Sequence, residues 1–248
     1  MQKYGELLRT LLEKRGIADE AQADVFLNPN YERDFHDASL MKDMEKACVR
    51  LYEAIDADEK IIIYADYDCD GIPGAVILND LFALIGYKNY EVYIPNRNSE
   101  GYGLNIDSVK QFAESNVKLL ITIDLGITAV AEIAQAEVDG IDVIITDHHL
   151  PQEILPRAYA ILNPKTDNYP EKMLCGASVV FKFVQGFLNK YSEYFKIKDG
   201  AEKWMLDMAG LATLSDMVPL FGENRAIAYF GMKVLKKSSR PGLQKLFA

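Results

Sequence analysis

Three aspartates occupy alternate positions in Asp66-Tyr67-Asp68-Cys69-Asp70-Gly71, directly after the apolar run Ile61-Ile62-Ile63-Tyr64-Ala65. Carboxylates crowded this closely repel one another, and a bound cation makes the crowding favourable. Two of the three histidines in the chain stand side by side in Asp147-His148-His149, after Ile141-Asp142-Val143-Ile144-Ile145-Thr146. Imidazole combined with carboxylate suits a divalent transition ion. The same arrangement recurs at Asp124, after Leu119-Leu120-Ile121-Thr122-Ile123, and at Asp216, after Leu211-Ala212-Thr213-Leu214-Ser215 and before Met217-Val218-Pro219-Leu220. These residue types in these settings point to a divalent-metal site.

Such a site needs elements that bring distant acids together. Strands are predicted at 61–65, 90–94, 118–123, 141–146 and 158–162, with helices near 72–86, 106–116 and 128–138 between them. That spacing leaves room for right-handed crossovers and favours an α/β fold with a parallel, doubly wound sheet. Open sheets of this kind place their sites at the carboxyl ends of the strands, where the acids fall.

On either side of the α/β region the pattern is helical. Residues 1–58 read as a helical segment packed on the core, with Leu7, Leu8, Leu11 and Leu12 on one face and Met41, Met44, Ala47, Val49, Leu51 and Ile55 on another, broken at Asn28-Pro29-Asn30. From Cys175 the helical period returns, with Val179, Val180, Phe183, Val184 and Phe187 forming one apolar face and Trp204 to Leu214 a second.

Taken in order, Asp66-Tyr67-Asp68-Cys69-Asp70-Gly71, Thr122-Ile123-Asp124, Asp147-His148-His149 and Ser215-Asp216-Met217-Val218-Pro219-Leu220 resemble the four motifs of the DHH phosphoesterase superfamily. Ile94-Pro95-Asn96-Arg97-Asn98-Ser99-Glu100-Gly101-Tyr102-Gly103-Leu104-Asn105 narrows the resemblance to the RecJ-type branch of single-strand-specific 5′ to 3′ exonucleases. Leu27-Asn28-Pro29 and Arg240-Pro241-Gly242-Leu243 also look like segments of that branch, so the likeness spans nearly the whole chain. It implies a DHH catalytic domain over 59–248. RecJ-type proteins carry a further, DHHA1-like C-terminal domain, and this chain is expected to lack it, ending after a basic run from Lys233 to Arg240.

The resemblance also implies roles. Asp68 would serve one ion, Asp70, His148 and Asp216 the other, and Asp124 both; phosphatase-like branches place a histidine at the position of Tyr64, four residues before Asp68, and Asp66 would replace it as a ligand. Mixed oxygen and nitrogen ligation suits two Mn²⁺ ions, or Mg²⁺. Two such ions ~3.5–4 Å apart stabilise both entering and leaving oxygens of a phosphoryl displacement. His149 is expected to touch the phosphate and Asp147 to orient the loop or an imidazole. Arg97, Tyr102 and Gly103 are candidate substrate contacts, Arg97 for a phosphate and Tyr102 for a base or ribose. From the residues alone, the same stretch reads equally as a glycine-rich turn in which Arg97 pairs with Glu100. Gly176, opening Gly176-Ala177-Ser178, either offers free N–H groups to a phosphate or marks close helix packing.

Composition bounds these readings. The formal charge is -10, which implies weak generic affinity for a polyanion, and Lys165, Lys182 and Arg225 are the scattered cations that could contact a strand. No apolar run approaches the ~18 residues that span a bilayer, and Met1-Gln2-Lys3-Tyr4-Gly5-Glu6 lacks a signal-peptide pattern, so a cytoplasmic protein without a membrane partner is expected. Cys48, Cys69 and Cys175 are scattered and odd in number, consistent with reduced thiols. Cys69 is read as a packing residue and His36 as structural or exposed.

The leading expectation is a two-metal phosphodiesterase that degrades single-stranded DNA from the 5′ end to 5′-mononucleotides, with single-strand-binding or helicase proteins as possible partners. The alternative is hydrolysis of short oligonucleotides or small phosphoesters. A non-catalytic nucleic-acid-binding scaffold is a third reading, set against the retention of every motif carboxylate.

Overall fold

A computed structural model describes residues 1–247. Its centre is a five-stranded, all-parallel sheet of β1 (Lys60–Ala65), β2 (Tyr90–Tyr93), β3 (Val117–Ile123), β4 (Asp142–Thr146) and β5 (Ala160–Leu162), in the order β2-β1-β3-β4-β5. Consecutive β-branched and leucine residues in β1, β3 and β4 are buried on both faces, as strands covered on two sides require. The crossovers are α5 (Gly71–Ile85), α6 (Ile106–Glu114) and α7 (Val130–Val138), each within two residues of its predicted start.

Alternation along the strands divides the core. Ile61, Ile63, Ile121, Ile123 and Ile144 face a layer built from α4 (Met44–Asp56), α5, α8 (Gly176–Tyr191) and α9 (Leu206–Ser215). Ile62, Tyr64, Leu120, Val143 and Ile145 face α6 and α7 through Val109, Phe112, Ile133 and Ala136. The helical N-terminal segment is not uniform: α4 lies inside the larger core, whereas α1 (Glu6–Glu13) and α2 (Glu20–Leu27) close a small satellite cluster around Leu12, Ile17 and Ala23. Of the expected apolar face on α1, Leu12 is buried while Leu7 and Leu11 are exposed. Trp204, expected on the second C-terminal face, also lies exposed. The short helix α3 (Tyr31–Asp34) follows the predicted break at Asn28-Pro29-Asn30, and α10 (Gly222–Leu235) and α11 (Pro241–Phe247) complete the chain's helices.

Register is what the site inherits from the sheet. Ala65 pairs with Ile123, Ile123 with Thr146, and Thr146 with Leu162, so the last residues of four strands form one row. The next residue of each is Asp66, Asp124, Asp147 and Asn163, and the ladder carries on for one more step: the N–H groups of Asp66, Asp124 and Asp147 donate to the carbonyls of Ile123, Thr146 and Leu162. The strand order reverses direction between β1 and β3, which is the crevice where doubly wound sheets bind ligands.

Candidate metal centre

Seven aspartate and histidine side chains converge at this crevice. One ligand atom from each of Asp70, His148 and Asp216 lies within 4.8 Å of the others, and the same is true of Asp66, Asp68 and Asp124 and of Asp124, His148 and His149. The His148 Nε2 is 3.2 Å from Asp124 Oδ1 and 3.7 Å from Asp70 Oδ2, and its Nδ1 is 3.9 Å from Asp216 Oδ2. Each of the six sequence-derived ligand candidates therefore falls in one cluster, and Asp124 and His148 belong to two groups each.

Local structure explains how each is aimed. Asp68 Oδ1 accepts the N–H groups of Asp70 and Gly71 at 2.8 and 2.9 Å, satisfying donors at the start of α5 that have no helical partner. Asp66 accepts the N–H of Tyr67 at 2.8 Å. Asp70, almost wholly buried, receives Gly176 N–H on Oδ2 at 2.5 Å and Ala177 N–H on Oδ1 at 2.7 Å, both from the first turn of α8. Asp216 caps the end of α9, where Ser215 Oγ donates to the Cys69 carbonyl at 3.0 Å and ties the two acidic loops together. Asp124 and Met217 are non-glycine residues with φ of 60° and 57°, a conformation that costs about 1–3 kcal/mol and concentrates at functional sites.

The adjacent histidines diverge. His148 points into the carboxylate cluster with its side chain 13% exposed, whereas the His149 side chain is 45% exposed and turns Nδ1 to 2.7 Å from Asp147 Oδ1. The same Asp147 oxygen accepts the N–H groups of His148 and His149, and Oδ2 accepts the N–H of Ile127 at 2.9 Å. The Asp147 hydrogen bond raises the His149 imidazolium to about 9. Burial pushes Asp147 itself upward, but its hydrogen bond to and charge attraction with His149 outweigh that and leave the carboxyl below its ordinary value.

Asp124 is the electrostatic extreme of the cluster. Burial, and then the neighbouring Asp70 and Asp68, drive its carboxyl far above the usual carboxylate range. Its Oδ1 is buried without any hydrogen-bond partner, the sole carboxylate oxygen in that condition among the described residues. A buried, unpaired acid is expensive, and a cation is the ordinary way to make it favourable. Mixed carboxylate and imidazole donors in two groups of three fit a pair of divalent ions of the Mn²⁺ or Mg²⁺ kind.

Around the cluster, a cavity of about 440 Å³ is lined by Tyr102, Gly103, Leu104, Leu125, His149 and Lys165, among others. The Tyr102 hydroxyl is 3.5 Å from His149 Nε2, and the Gly103 carbonyl is held by the Tyr64 hydroxyl at 3.0 Å. Arg97 does not pair with Glu100, which instead accepts from the Tyr93 hydroxyl and from Asn96 N–H; its guanidinium lies 5.3 Å from the Tyr67 ring centroid. Tyr67 is a neighbour that sequence reasoning passed over, and its place between two of the acids was the available signal.

Several expectations need correction. The N–H groups of Gly176 and Ala177 are engaged by Asp70, so the start of α8 does not present them to a phosphate. Lys182 is fully buried and pairs with Glu223 at 3.0 Å, so it cannot contact a strand. Arg225 packs against Phe26, its guanidinium 3.6 Å from the ring centroid and its Nε donating to the Phe26 carbonyl, outside the cluster. Lys165 alone of the three lines the cavity, its Nζ donating to the His148 carbonyl. Cys69 is exposed rather than packed. His36 is structural: its N–H donates to Glu223 and its carbonyl accepts from Lys182.

Residues 60–213 match the DHH family, N-terminal domain. The chain is 40% identical to the single-stranded-DNA-specific exonuclease RecJ of Bacillus subtilis over 97% of its own length and 29% of that protein's, and 33% identical to the Escherichia coli RecJ over 97% and 42%. It thus spans less than half of the curated relatives it matches. Among solved structures, exonuclease RecJ bound to manganese superposes with a TM-score of 0.75 at 31% identity, covering 84% of this chain and 52% of that one. No helix among the described residues is long and apolar enough to cross a membrane.

Proposed function

The chain belongs to the DHH family, and from that membership and the geometry of the cluster we propose that it is the catalytic part of a RecJ-like exonuclease acting on single-stranded DNA from the 5′ end. The observation that carries the reading is the buried, unpartnered Asp124 Oδ1, standing 3.2 Å from His148 Nε2 within reach of both acidic groups. Asp66 and Asp68 would hold one divalent ion and Asp70, His148 and Asp216 the other, with Asp124 shared. The relatives support the metal: a RecJ of 31% identity is described with manganese bound.

Bound Mn²⁺ or Mg²⁺ supplies Lewis acidity to the scissile phosphodiester and to the attacking water. This chain's residues do the rest. His149, kept protonated by Asp147, donates from Nε2 to a non-bridging phosphate oxygen and offsets charge as it builds there. Tyr102 sets the wall beside that nitrogen, and Leu104 and Leu125 give the cavity an apolar side against which a sugar or base can exclude water. Arg97, presented on the Tyr67 ring, meets a neighbouring phosphate.

The test is digestion of 5′-labelled and 3′-labelled single strands with Mn²⁺, alongside a dinucleotide. Stepwise loss from the 5′ end, releasing mononucleotides, is the expected result. Hydrolysis confined to the dinucleotide supports the second reading, a hydrolase of short oligonucleotides, which the charge of -10 favours because so few cations surround the cavity.

A further inference from the structure

Resting on the paired-ion reading, we infer that Gly176 is the positioning residue of the pair: the bare first turn of α8 clamps Asp70 through its N–H groups and leaves the space that Asp124 needs to be shared. A Cβ at position 176 would meet Cβ and Oδ1 of Asp124 at 2.7 Å and its Cγ at 2.9 Å, well inside the ~3.5–4.0 Å of an ordinary carbon contact. Neither side yields easily. Asp124 is pinned by its N–H bond to the Thr146 carbonyl and by its left-handed backbone, and α8 is buried at every residue from Gly176 to Val184.

The two carboxylates are held in opposite ways at one point of contact. Asp70 takes two N–H donors from the end of a 16-residue helix, where unpaired donors and the helix dipole both favour an anion. Asp124 Oδ1 receives no hydrogen bond, although His148 Nε2 stands 3.2 Å from it. The Gly176 and Ala177 N–H bonds fix both Asp70 oxygens, so Asp70 is oriented before any cation arrives. Asp124 is free to turn its oxygen toward both groups because nothing projects from residue 176. A side chain there pushes Asp124 out of the shared position while the separate ligands stay in place, turning a coupled pair of ions into isolated ones.

The experiment is Mn²⁺ titration of the full chain, read by equilibrium binding and by the exchange-coupled Mn²⁺–Mn²⁺ signal in electron paramagnetic resonance. Wild type is expected to bind two ions with the coupled signal. In Gly176→Ala the coupled signal disappears and the second ion binds at least about tenfold more weakly, the scale of loss when a supporting partner of a ligand is disturbed. Ser178→Ala alters the same turn, at a hydroxyl bonded to Cys175 and Thr213, and should keep the signal. A coupled signal of full strength in Gly176→Ala overturns the inference, as does its loss in both variants, which would reflect general loosening of the helix. Wild type with no coupled pair sinks the two-ion reading itself, a distinct outcome. Should Gly176→Ala fail to fold, Gly176→Ala combined with Asp124→Gly decides: recovery of the fold places the damage at the 176–124 contact, and continued failure refutes it.

Discussion

Asp147 Oδ1 accepts the Nδ1–H of His149 at 2.7 Å, so the carboxylate that precedes the paired histidines orients the outer imidazole rather than the one facing the acids. His148 has its two ring nitrogens directed instead at Asp124 and Asp216.

Substitutions of the two histidines are therefore expected to differ in kind. His148→Ala should lower Mn²⁺ content in purified protein, whereas His149→Ala should keep the metal and lower kcat by about 10²-fold, the scale of one lost charge-stabilising donor. Asp147→Asn should resemble His149→Ala more than His148→Ala. Metal analysis together with kinetics checks all three, and equal metal loss in both histidine variants would reverse the assignment.

Asp124→Asn removes a buried acid with an unpartnered oxygen while preserving shape. The metal-free variant should melt at or above the wild-type temperature. Wild type, in contrast, should gain about 2.7 kcal/mol at a free Mn²⁺ concentration 100 times Kd, a gain the variant largely loses. Hydrolysis should fall by more than about 100-fold, because even residues that only support ligands are worth about 10- to 100-fold. Calorimetry with and without chelator reads the first part; activity within tenfold of wild type and unchanged metal content would refute the shared role of Asp124.

Arg97 and Tyr67 should act as a unit. Arg97→Ala is expected to raise KM with little change in kcat, and Tyr67→Leu to produce a smaller change in the same direction, since the ring holds the guanidinium without meeting the phosphate. Additive effects in the double variant would show that the stack does not position Arg97.

Lys182→Met leaves Glu223 buried with only Tyr169 and the His36 N–H as partners. Breaking such a pair costs about 3–5 kcal/mol, and adding Glu223→Gln should recover part of it. Chemical denaturation measures this, while the salt dependence of DNA binding should not move. A reduced salt slope in a folded Lys182→Met protein would restore the strand-contact reading that burial excludes.

Few cations line the site, so binding of a long single strand should be weak and its salt dependence shallow. With Arg97, His149 and Lys165 as the contacts, the log–log slope should be roughly −2. Filter binding across a salt series reads it, and a slope several times steeper would require a phosphate-tracking surface elsewhere on the chain.

What the sequence determined by itself was local. Runs such as Ile61-Ile62-Ile63 and Val143-Ile144-Ile145 have no polar face, so they can only be strands buried on both sides, and the acid after each run then falls at a carboxyl edge. The ligand candidates in the loops after β1, β3 and β4 were legible for that reason, whereas Asp216 follows helix α9 and was legible only as a member of the ordered motif set. Tertiary structure decided what depends on partners distant in the chain. Sheet register set Asp66, Asp124 and Asp147 in one row. The docking of α8 turned its first N–H groups onto Asp70 and brought Gly176 against Asp124, deciding between the phosphate seat and the close packing that the residues alone left open. Burial consumed Lys182, and packing on Phe26 turned Arg225 away from the cluster, although both look like any surface cations in a one-dimensional reading. Hydrogen-bond partners and desolvation are properties of three-dimensional neighbours, and no periodicity along the chain encodes which charge will be enclosed and which left facing a ligand.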